Sequence, residues 1–135
     1  MKVIPHLHFN GQCEEAFNLY ARVLGGNANF FRYEGSPAAG MAPEGWANKV
    51  MHASVNFGSE RIYGADVPPQ YFRQPQGFAV CIETDDVAKA EAIFNALAEG
   101  ASVKMPFAET FWAKRYGDLT DRFGTEWMIN VPKPM

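Results

Sequence analysis

No stretch of about eighteen consecutive apolar residues occurs in this chain, so no membrane-spanning helix is expected from it. A basic surplus is missing too: 12 Lys and Arg stand against 15 Asp and Glu, for a net charge of -3. Without spare cations to neutralise phosphates, nucleic-acid binding is not the expected activity. Cysteine is scarce. Cys13 and Cys81 have neither metal-site nor redox-motif spacing and read as free thiols packed as small hydrophobes. If either thiol is reactive, Cys13 is the one expected, because it lies near a predicted helix start, where a thiolate is favoured. The first eleven residues carry one lysine but no long apolar region or small-residue cleavage site. No signal peptide is therefore expected, and the expected location is cytoplasmic.

What is present suffices for a core. Hydrophobic residues make up 47% of the 135, which suits one compact unit or two small modules. The segment from Val3 to Phe9 alternates as a strand, with Val3, Pro5, Leu7 and Phe9 on one side and Ile4, His6 and His8 on the other. A helix follows over 13–26. Ala16, Phe17, Tyr20, Val23 and Leu24 form its apolar face, Glu14 and Glu15 suit its dipole, and Gly25-Gly26 ends it. Strands are expected over 27–35, 49–58 and 59–66. In the second of these Val50, His52, Ser54 and Asn56 oppose Met51, Ala53, Val55 and Phe57. Between the first two lies the loop "SPAAGMAPEGWAN", and a Pro/Gln-rich linker follows the third.

The order then begins again. A strand, "FAVCIET", precedes a helix capped by Asp85 or Asp86 and stopped by Gly100, with Val87, Ala90, Ile93, Phe94 and Leu97 as its apolar face. Three more strands follow, "ASVKMPFAET", "FWAKRYGDLTD" and "TEWMINV". The reading is thus module one over 1–67, a linker over 68–76 and module two over 77–135, each ordered strand, helix, strand, strand, strand. One helix covers only one face of a four-stranded sheet. The fold class expected is α+β: two βαβββ modules whose curved mixed sheets form a cleft. The second sheet faces carry His, Asn, Tyr and Trp where a core face would carry Val and Ile.

The segments "PHLHFNGQCEEAFNLYARVLGG", "KVMHASVNFG" and "WAKRYGDLTDRFGTEWMIN", with the pattern between them, resemble the vicinal oxygen chelate superfamily of glyoxalase, bleomycin-resistance and dioxygenase proteins, and its PhnB-like branch in particular. The resemblance implies paired βαβββ modules and a homodimer in which strands or modules are exchanged between chains. Metal-dependent members place one ligand, usually His or Glu, on the first and last strand of each module, and the metal acts as a Lewis acid. Some members of the branch carry the name of a demethylubiquinone methyltransferase, but no Gly-rich loop follows a strand here to cradle an adenosyl cofactor.

Aligned on the turns, the four ligand slots fall near Ile4, Tyr63, Ala79 and Met128, none a normal Zn, Ni or Fe ligand. A slip of one or two residues admits His6 or His8 in module one. In module two Cys81, Glu83 and Glu126 are the nearby donors, with Glu126 expected to face away from Met128. His6 and His8 share a strand face roughly 7 Å apart, and His52, by parity, can join them. That trio reads as polar cavity lining, as a divalent-metal site, or as a general acid/base. The candidate ligand-binding residues are His6, His8, His52, Asp66, Trp112, Arg115 and Tyr116; Asp66 reads equally as a turn residue, and one of Arg115 and Tyr116 faces inward by alternation. Asp118, Asp121 and Arg122 read as fixing the last hairpin, Trp127 as core, and Trp46 as a lid or dimer contact. The function expected is small-molecule binding without a cofactor, against a metal-dependent lyase, isomerase or dioxygenase, or an interaction module whose cleft is vestigial.

Overall fold

The strand and helix order is that of two successive βαβββ units. In the computed structural model, which describes residues 1–134, the elements are β1 (His6–Phe9), α1 (Cys13–Leu24), β2 (Asn27–Arg32), a single 3-10 turn (Ala39–Met41), β3 (Val50–Phe57), β4 (Glu60–Asp66), β5 (Val80–Glu83), α2 (Val87–Ala98), β6 (Ser102–Ala108), β7 (Ala113–Thr120) and β8 (Glu126–Pro132). The chain divides into Met1–Arg73 and Gln74–Met135, a boundary inside the Pro/Gln-rich segment 68–76. Each unit holds a four-stranded mixed sheet, ordered β1-β4-β3-β2 in the first and β5-β8-β7-β6 in the second. In both, the first strand pairs parallel with the last and the other pairings are antiparallel.

In the first unit the apolar side of the sheet meets α1. Leu7, Phe9, Ala53, Val55 and Ile62 are buried there, facing Ala16, Phe17 and Tyr20 of the helix. Phe17 lies on Gly64, where a Cβ would stand 2.5 Å from the ring's Cζ. The helix ends at Gly25 in the left-handed region, φ 73°, which glycine enters without strain. Its start has no local side-chain cap. The acceptor comes instead from β4: Asp66 Oδ1 takes the Cys13 amide at 2.9 Å, while its Oδ2 takes the Val50 amide at 2.9 Å. Tyr33 donates its hydroxyl to the Asp66 carbonyl at 3.0 Å.

The strict alternation expected for β3 breaks at one point. The register with β2 shifts between Phe31 and Arg32, so that Phe31 faces His52 and Arg32 faces Val50. Such a bulge turns Val50 to the core beside Ala53 and Val55, on the side opposite His52. Trp46 of the long loop packs its ring 6.3 Å from that of Tyr33.

In the second unit α2 carries its own cap, with Asp86 accepting the Lys89 amide at 3.1 Å. Phe94 lies over Gly117, where a Cβ would stand 2.6 Å from the ring's Cε2. Trp127, Ile129, Val131 and Leu119 fill the helix side of this sheet. Asp121, 4% exposed, holds the last turn: Oδ1 accepts from the Phe123 and Thr125 amides and Oδ2 from Trp127 Nε1 at 2.9 Å. The edge strand β6 is largely exposed and contains Pro106, a residue tolerated where no ladder donor is needed. Among the described residues no helix is long and apolar enough to cross a membrane.

Candidate functional site

The helix covers one side of each sheet, so the other side is where unspent polar chemistry can stand. In the first unit the register lays this out in rows. His6 of β1 lies beside Tyr63 of β4, which lies beside Ser54 of β3 and then Asn29 of β2. One step along, His8 lies beside Ala65, and His52 lies beside Phe31. The rings converge: His6 is 5.2 Å from His8 and 6.1 Å from His52, and His52 is 4.9 Å, edge on, from Tyr63. Phe31, 63% exposed, stacks on His52 at 6.4 Å. The three histidines of the chain are therefore gathered on one open face. Burial, followed by the charges of His8 and His52, lowers the His6 pKa below the ordinary imidazole value. No carboxylate among the described residues hydrogen-bonds any of the three rings, so no acid orients an imidazole as a general base. A pocket of 380 Å³ adjoins Phe31, lined also by Phe30, Arg32, Met51 and the loop from Glu34 to Pro37; a smaller one of 210 Å³ includes Lys2, Glu60 and Arg61.

In the second unit the open side carries Cys81, Glu83, Tyr116, Asp118, Glu126, Met128 and Asn130. Tyr116, 7% exposed, donates its hydroxyl to Asp118 Oδ2 at 3.0 Å; burial and that carboxylate push its pKa up to about 12. Trp112 sets its ring edge on Tyr116 at 5.4 Å and remains 44% exposed. Asn130 donates to Glu83 at 2.9 Å and Lys104 pairs with Glu126 at 2.6 Å. Asp118 Oδ1 and Asn130 Oδ1 are buried without a hydrogen-bond donor among the described residues.

Several sequence expectations are corrected by this geometry. Asp66 is 1% exposed and both of its carboxylate oxygens hold backbone amides, so it is a structural pin and not an acceptor for a ligand. Arg115 lies in register with buried Val131, on the side that carries α2, and its Nη1 donates to the Lys114 carbonyl; Tyr116 is the one that faces out from the helix. Cys13 is wholly buried, and burial with Asp66 and Glu14 pushes its thiol far up, so Cys81 is the exposed thiol. Glu126 shares the open face with Met128, because residues two apart on a strand point the same way. The register also moves the slots. The residue paired with Tyr63 is His6, not Ile4, and the one paired with Met128 is Cys81, not Ala79. Imidazole, phenol, thiol and thioether at these positions do not fit the usual His/Glu set. Among the described residues no group of three or more His, Cys, Asp or Glu is arranged to hold a metal ion. Tyr63, Phe31 and Arg61 were not singled out as partners of the histidines by sequence, although the alternation of β4 already put Arg61 and Tyr63 on one side.

The family described as 3-demethylubiquinone-9 3-methyltransferase matches residues 1–130. The chain is 30% identical to protein YjdN of Escherichia coli K12 over 142 residues, covering 98% of this chain and 97% of that one. Protein PA1353 from Pseudomonas aeruginosa is 42% identical, with a TM-score of 0.88 over 96% of each chain. A PhnB protein from Bacillus cereus, described as a 3-demethylubiquinone-9 3-methyltransferase, is 21% identical with a TM-score of 0.77, over 96% of this chain and 98% of that one. A glyoxalase/bleomycin resistance protein/dioxygenase domain from Frankia sp. EAN1pec shares the fold alone, at 10% identity and a TM-score of 0.63, over 98% of each chain.

Proposed function

The chain belongs to this PhnB-like family of the glyoxalase/bleomycin resistance/dioxygenase superfamily, and on that premise we propose that it is a small-molecule-binding protein whose ligand surface includes the open side of the first sheet. The observation that carries the reading is the gathering of all three imidazoles with Tyr63 and the exposed ring of Phe31 on a face no helix covers. Flat apolar rings with a few placed polar atoms, beside a pocket of 380 Å³, are what small-ligand recognition uses. The side chains at the four ligand slots argue against the usual metal-dependent chemistry. The methyl transfer in the family's descriptive name finds no support either, since the β1–α1 turn is Asn10-Gly11-Gln12 and not a glycine-rich phosphate cradle.

Ring distances of 5.2 and 6.1 Å favour a second reading, a metal-dependent lyase, isomerase or dioxygenase built on the imidazoles. One set of measurements separates the two. A fragment panel of neutral, anionic and cationic aromatics is followed by backbone amide NMR, and the purified protein is analysed for Zn, Ni, Mn and Fe. Amide shifts clustered on β1, β3 and β4 with no stoichiometric metal support binding. One equivalent of metal that is lost in His6→Ala and His52→Ala supports the enzyme. Fragments that shift nothing on these strands would sink the binding reading.

A further inference from the structure

The rows of the first open face have a one-sided chemistry. His6 and His8 stand on β1, Arg61 and Tyr63 on β4, His52, Ser54 and Asn56 on β3, and β2 adds Asn27, Asn29 and Phe31. Every polar group there can donate a hydrogen bond, and the one formal charge is the Arg61 guanidinium. Of the acids of the same unit, Asp66 is spent on two backbone amides and Glu14 forms a bidentate pair with Arg32. Glu60 falls on the opposite side of β4 by alternation, although it lines the 210 Å³ pocket with Arg61, and Glu34 stands in the loop beside Phe31 rather than on the sheet face. A face rich in donors, with a cation and no carboxylate of its own, favours an anionic ligand over a cationic one. Phe31, stacked on His52, adds a ring surface at the rim.

We infer that this face binds the anionic group of an aromatic acid, with the imidazoles and Tyr63 donating to the anion and Phe31 meeting the ring. The inference rests on the ligand-binding reading above and narrows it to one ligand class.

The chain has three histidines and all lie on this face, so imidazole proton resonances report on it and on nothing else. Sodium benzoate, benzamide and benzylamine, matched in ring and differing in charge, are titrated into the full chain at pH 7 and fixed ionic strength. Benzoate is expected to shift the three sets of imidazole resonances saturably, with a Kd at least tenfold below that of benzamide, and benzylamine is expected to shift none. His52→Gln and Arg61→Gln should each weaken benzoate at least threefold, and by a larger factor than they weaken benzamide; an unchanged amide spectrum of α1 verifies that each variant is folded. Benzamide or benzylamine binding as well as benzoate would overturn the anionic class while leaving small-molecule binding intact. Imidazole resonances unmoved by all three probes overturn the inference, whereas the binding reading itself stands or falls on the amide shifts of the wider panel.

Discussion

The two units share a topology and differ in what their uncovered sheet faces carry. The first presents three imidazoles, a phenol, Arg61 and a set of amides, without a carboxylate. The second presents Glu83, Asp118 and Glu126 with Lys104 as the paired cation, and leaves two buried acceptor oxygens without donors among the described residues. The helix sides show no such divergence: both are apolar, and both seat a helix phenylalanine on a strand glycine. The comparison teaches where the fold is specified and where function has been free to diverge. Packing against the helix fixes one side of each sheet, and the other side is chemically unconstrained by it.

Three tests show how far this comparison goes. The largest effect is expected at the helix starts. Asp66→Ala strands the Cys13 and Val50 amides, at about 1–3 kcal/mol for each buried donor, so unfolding free energy should fall by about 2–6 kcal/mol. Its counterpart Asp86→Ala removes one exposed cap bond and should cost about 1 kcal/mol. Denaturant melts compare the two, and equal losses would break the contrast. The next effect is at the glycines. Gly64→Ala and Gly117→Ala each push a methyl into a phenylalanine ring, and each should cost about 1–3 kcal/mol with small local backbone shifts. A neutral result at either site would mean that its helix lifts off the sheet without loss.

The smallest effect is electrostatic and confined to the first unit, which holds all the histidines. The His6 pKa is lowered in the folded chain, by burial and then by His8 and His52. The unfolded chain therefore binds more protons as pH drops through the ordinary imidazole value of about 6.5. That contribution to stability is fully present above this value and declines as pH falls towards the folded pKa. His6→Gln should flatten the dependence of the denaturant midpoint between pH 5 and 8. An undiminished slope in the variant would place its origin outside the histidine cluster.

Much of this was legible in the sequence because it is local or periodic. The repeated order of elements, a cap at Asp85 or Asp86, the glycine stops and the shared face of His6 and His8 all follow from spacing alone. What was not legible depends on register and on distant partners. Asp66 at a strand end looks like any turn residue until Cys13, 53 positions away, is seen donating to it. Alternation puts Arg115 and Tyr116 on opposite sides, as the register has them, but which of the two shares the helix side is fixed by the pairing with β8. The slot pairings needed the parallel register of β1 with β4 and of β5 with β8, which no single strand encodes. Glu126 is a different case, since period-two spacing already put it beside Met128.

The Asp66 pin also bears on the order of events during synthesis. The ribosome delivers α1 some forty residues before the carboxylate that closes its first turn, while α2 is preceded directly by its own cap, Asp86. Non-local closure of this kind is slow relative to local helix formation. The amino-terminal helix must therefore wait for β4 to emerge before its opening turn is sealed, although it is made first.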